Sequence, residues 1–107
     1  MKKFGDISNI DINPAISDAT IMVQRAAKDF APVDTGMLMN SIHRRMDKGQ
    51  STGIVYTTTE YGVYQEFGTR KMAAHPFMLP AINQNRAGIN VLLSSYIRKR
   101  LSEATKN

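Results

Sequence analysis

The sequence contains no cysteine. Disulfide staples, thiolate zinc sites and cysteine nucleophiles are thereby excluded, and a reducing compartment suits the chain. No apolar run approaches the roughly 18 residues that a membrane-spanning helix requires. The opening stretch "MKKFGDISNIDINP" has two lysines but no apolar segment behind them, which argues against a secretory signal. No internal repeat or low-complexity tract is present. Acid is scarce relative to base: 9 Asp and Glu against 14 Lys and Arg leave a net charge of +5. Such a balance favours contact with nucleic acid or an acidic protein, although small soluble domains often carry a few surplus lysines. The phosphate-binding and nucleophile-elbow signatures are missing as well. His43 and His75 stand alone, without metal-ligand spacing. No cofactor, metal or membrane partner is expected.

What remains is a chain of 107 residues, 42% hydrophobic and 21% charged. This predicts one domain around one modest core. Residues 1–12 lack periodicity and read as an arm; 13–107 read as the domain. Asn13 is a good helix N-cap, and Pro14 at the first helical position has no N–H to leave unpaired. Ile16, Ala19, Val23, Ala26, Ala27 and Phe30 then recur at helical spacing, and Pro32 stops the helix. "SIHRRMD" (41–47) and "GIVYTTT" (53–59) read as strands joined by the turn "DKGQSTG", hence as a hairpin. "EYGVYQEFG" (60–68) reads as a short helix, with Val63 and Phe67 four apart and Gly68 as its left-handed stop. Residues 69–77 read as a loop with room for a third strand. Pro80 opens the last helix, in which Ile82, Ile89, Leu93 and Ile97 face one way. Arg98, Lys99 and Arg100 fall in its final turns, where cations suit the negative end of the helix dipole. The expected class is α+β: a long N-terminal helix, a small antiparallel sheet built on a hairpin, a short middle helix and a long C-terminal helix.

"APVDTGML" (31–38) carries the Asp-Thr-Gly triplet of aspartic proteases. Two such aspartates must meet at a dimer axis, each presented by a turn after a strand. Here a long helix precedes Asp34, and Met37 follows where proteases favour a small residue. The plainer role for Asp34 is to accept the N–H groups of Gly36 and Met37, capping a one-turn helix over 35–40. Glu66, between Gln65 and Phe67, is the one carboxylate in an aromatic setting; a solitary acid is more often paired than catalytic. No catalytic constellation can be assembled.

Three blocks, in order, carry a resemblance: "APVDTGMLMNSI" (31–42), "YGVYQEFGT" (61–69) and "HPFMLPAI" (75–82). Together they resemble the tail-completion, or head–tail joining, proteins of long-tailed bacteriophages. That pattern reads roughly A-P-x-D-T-G-x-L-x-x-S-I, then Y-x-x-Y-x-E-F-G-T, then P-F-x-x-P-A. Asp34, Thr35, Gly36, Leu38, Ser41 and Ile42 match the first block. Tyr61, Tyr64, Glu66, Phe67, Gly68 and Thr69 match the second, and Pro76, Phe77, Pro80 and Ala81 the third. The small residue often following the first tyrosine of the second block is Gly62 here, a mild departure that predicts a looser turn. The resemblance implies a structural virion protein, a hexameric homo-oligomer ringed at the head–tail junction (neck) of the particle. Its implied partners are a head-completion (stopper) protein on one side and a tail terminator or tail tube protein on the other, with DNA incidentally near. A tail-terminator ring and a small basic nucleic-acid-binding module, motivated by Arg44, Arg45, Lys99 and Arg100, are the alternatives. Most motif residues read as architectural. Glu66, Arg70, Lys71 and Phe77 are the candidate contacts, because loop charges steer association and an aromatic can anchor an interface.

Overall fold

The computed structural model describes residues 10–32, 36–71 and 73–105. Six elements follow in order: α1 (Asn13–Phe30), α2 (Met37–Asn40), β1 (Ile42–Asp47), β2 (Thr52–Thr57), α3 (Glu60–Phe67) and α4 (Met78–Thr105). The expected α+β class and element order are therefore present. β1 and β2 form an antiparallel hairpin in the register Ile42↔Thr57 to Asp47↔Thr52, closed by a 3-10 turn over Lys48–Gln50. The described part of 69–77 contains no third strand, so the sheet has two strands.

Helix α1 lies across one face of the hairpin because its inward positions are small. Ala15, Ala19, Ala26 and Ala27 are buried, and Thr20 turns its hydroxyl back to the Ile16 carbonyl at 2.7 Å. The sheet comes so close at Gly53 that a Cβ there would fall on Thr20 Oγ1 and lie 2.9 Å from Thr20 Cβ. Gly53→Ala is accordingly expected to destabilise by about 1–3 kcal/mol, since neither a helix backbone nor a branched side chain can step aside. A thermal melt matching that of the unaltered chain would contradict this packing.

Helix α4 runs antiparallel to α1. Near one end Tyr96 Oη donates to the Asp11 carbonyl at 2.9 Å; at the other, Phe77 and Ala81 join Ala26, Ala27, Ala31, Leu38 and Ile42 in the core. Phe77 and Ile42 are the largest wholly buried side chains. The remaining core residues are mostly alanines, so much of the tertiary energy sits on these two.

Some local expectations differ from what is observed. Asn13 is not the cap of α1 but lies in its first turn. Asp11 Oδ1 accepts the Asn13 N–H at 3.0 Å, and the Asn13 amide reaches across to the Lys48 carbonyl at 3.2 Å. Phe30 is exposed at the last position of α1, whereas the next residue, the extended C-cap Ala31, is buried in the core. Helix α4 starts at Met78, two residues ahead of Pro80. Proline is tolerated throughout a first helical turn, where N–H groups have no intrahelical acceptor.

Candidate interaction surface

Four N–H groups at the start of a helix need partners from outside it. In α4 a single side chain supplies them. Glu66, one residue before the end of α3, accepts the Phe77 and Met78 N–H groups on Oε1 at 2.9 and 2.8 Å, and that of Leu79 on Oε2 at 3.1 Å. The fourth position is Pro80, which has no N–H. The carboxylate also faces the positive end of the helix dipole. Next to it the His75 N–H reaches the Gln65 carbonyl at 2.7 Å, so the strap between the helices is tied down where it rejoins the fold. Glu66 is thus engaged within the chain, and the second and third sequence blocks are two halves of one clamp.

The first block is joined to the hairpin. Ser41 Oγ donates to the Leu38 carbonyl at 2.7 Å and lies 2.8 Å from Thr57 Oγ1, while the Thr58 N–H reaches the Ser41 carbonyl at 3.2 Å. Gly36 precedes α2 with φ 79°. Asp34 and Thr35, with the expected Asp34 cap, lie outside the described residues. Helix α3 rests on this junction. Thr59 Oγ1 accepts the Gly62 N–H at 3.1 Å, and Gly68, with φ 77°, closes the helix through its N–H to the Tyr64 carbonyl at 2.7 Å. Gly62 is a close-contact residue, which corrects the expectation of a looser turn. A Cβ there would come within 2.7 Å of Thr57 Cγ2 and Oγ1 and 3.1 Å of Leu38 Cδ1.

Because α3 sits on Gly62 and Gln65, its larger apolar side chains point outward. Phe67 is 78% exposed, and Val63 and Tyr64 are also exposed. Together with Tyr56 of β2 and Leu79 and Ile82 of α4, Val63 and Phe67 border an open groove of ≈ 400 Å³ whose floor includes Phe77 and Met78. Of the candidate contacts, Phe77 is 0% exposed, whereas Arg70 and Lys71 are exposed on the strap. Tyr61, Thr69 and Pro76 are exposed as well, and Thr69 Oγ1 accepts the Lys71 N–H at 3.2 Å. The outward apolar residues Leu79 and Val63 carry no motif signal in the sequence. For Val63, only the burial of its small neighbour Gly62 reveals the outward orientation.

Among the described residues, no group of three or more His, Asp or Glu side chains is placed to hold a metal ion, and no helix is long and apolar enough to cross a membrane. The family model for the tail-component proteins typified by bacteriophage HK97-gp10 matches residues 1–68. The chain belongs to the HK97-gp10-like family. The match takes in the first block and the second as far as Gly68, and ends before the strap and α4. No curated protein and no solved structure matches the chain. Membership makes this a phage tail component, a structural protein that assembles with other virion proteins.

Proposed function

We propose that this tail component forms a hexameric ring at the head–tail junction, seating the finished tail on the DNA-filled head. The observation that carries the reading is the open apolar groove beside the Glu66 clamp. A water-soluble chain that holds Phe67 out at 78% exposure gains from a partner that covers it. The second and third sequence blocks support the same reading, since between them they supply most of the groove's lining. The ring's neighbours are a head-completion protein on one side and a tail terminator or tail tube protein on the other. Arg70 and Lys71 are exposed on the strap that follows α3, where cations speed docking onto an acidic partner.

A binding protein of this kind acts only once both partners are complete. Lysates lacking it are expected to hold DNA-filled heads and separate tails, with few joined particles. Purified protein added back should restore infectivity without new synthesis. Phe67→Ser should fold with a melt within about 0.5 kcal/mol of the unaltered protein, as other surface changes do, yet fail to restore joining. Arg70→Glu with Lys71→Glu should slow the rescue, with the difference shrinking at high salt. Empty heads, unprocessed shells or missing tails in the deficient lysate would place the protein at an earlier step and refute the joining role.

A further inference from the structure

A second groove, of ≈ 570 Å³, continues from the first through the shared residues Met78 and Ile82. Its floor is α1, at Ile16 and Val23; its walls are Ser51 with β2, at Thr52–Val55, and α4, at Ile82 and Ile89. Ser51 and the first four residues of β2, Thr52–Val55, line it consecutively, with side chains on both faces of the sheet, so the groove follows the strand's free edge. Edge strands are normally guarded by charge or proline. None occurs from Ser51 to Thr59, whereas β1 carries His43, Arg44, Arg45 and Asp47. No lining residue of the groove is charged.

A matching surface lies on the opposite side of the same helix. At 100° per residue Val91 stands diametrically across α4 from Ile82, and it is 66% exposed. Ala87, Ser94 and Ser95 flank it, all exposed. From Ala87 to Ile97 the sequence "AGINVLLSSYI" holds no charge, between Arg86 and Arg98. A back this flat lets a helix approach closely, and the serine hydroxyls can pair with the unpaired backbone groups of a strand edge.

We propose that the occupant of the groove is a second copy of this chain, whose α4 back, centred on Val91, lies along β2 between α1 and α4 of its neighbour. The proposal rests on the ring reading above and specifies its subunit contact. Groove and back are different surfaces on opposite sides of one helix, so the contact is head-to-tail and repeats from copy to copy, as a ring requires. Both surfaces are uncharged, which is the pairing open to copies that each carry +5.

The absence of cysteine makes a clean test possible. Ile54→Cys places a thiol on the groove edge and Val91→Cys places one on the α4 back. In mild oxidant, a mixture of the two purified single variants should give a cross-linked dimer, each variant alone should stay uncross-linked, and the double variant should give a ladder of higher oligomers. Sedimentation of the unaltered protein should show a concentration-dependent oligomer that Val91→Arg abolishes while leaving the circular dichroism melt unchanged. Cross-linking of either single variant with itself would mean a two-fold contact and overturn the proposal. So would an unaltered protein that stays monomeric at every concentration, or Val91→Arg assembling as before. These measurements use the pure protein alone, so their failure is distinct from failure of the joining assay in lysates.

Discussion

Replacing Phe77 by alanine is expected to remove about 3–5 kcal/mol of stability, the usual range for deleting a buried aromatic ring. The ring is 0% exposed and sits among Ala26, Ala27, Ala31 and Ala81, whose methyl groups cannot reach into the space it would leave. A domain of this size has on the order of 5–15 kcal/mol in total, so the variant should melt far below the unaltered protein. Denaturant titration measures the loss directly. A Phe77→Ala protein that melts normally but no longer joins heads to tails would show that the ring serves an interface instead of the core.

The second large effect is expected at Glu66. Its removal strands three N–H groups at the start of α4 and takes a negative charge from the helix's positive end. Capping side chains are worth about 0.5–2 kcal/mol, and hydrogen bonds to charged groups about 1.5–3. Glu66→Ala should therefore cost about 2–3 kcal/mol. Glu66→Gln should fall between, because its single amide oxygen can replace Oε1 but its NH₂ group confronts the Leu79 N–H with a second donor. Hydrogen exchange supplies the local check: the Phe77, Met78 and Leu79 amides should lose protection in Glu66→Ala before the rest of α4 does. Unchanged exchange at those three positions would show that the carboxylate is not the cap.

The parts of this fold that were legible in the sequence are those whose cause is local. Proline at the start of α1, β-branched residues in β2 and a turn between strands announce themselves within a few positions. Helix α4's true start was hidden because its cap comes from Glu66, eleven residues before Phe77, and Pro80 drew attention to itself instead. The orientation of α3 was hidden for a different reason. Val63 and Phe67 mark a helix by their spacing, but a spacing cannot tell which face turns inward, and here Gly62 and Gln65 do. Glu66 was legible as a carboxylate in unusual company, and its engagement with backbone amides was not. The apolar borders of the groove, Leu79 and Val63, became visible only when the neighbouring elements were in place.

The clamp at Glu66 has a consequence for the strap between Gly68 and His75. Both of its ends are tied to α3, one by the Gly68 N–H to Tyr64 and the other by the His75 N–H to Gln65, and α4 takes its bearing from Glu66. The direction of the long helix is therefore set without the strap. Residues there can be exchanged, lengthened or shortened as the shape of a partner demands, and the rest of the fold does not have to be renegotiated. Related tail components that meet different partners are expected to differ most at this one stretch, an interchangeable fitting on a fixed frame.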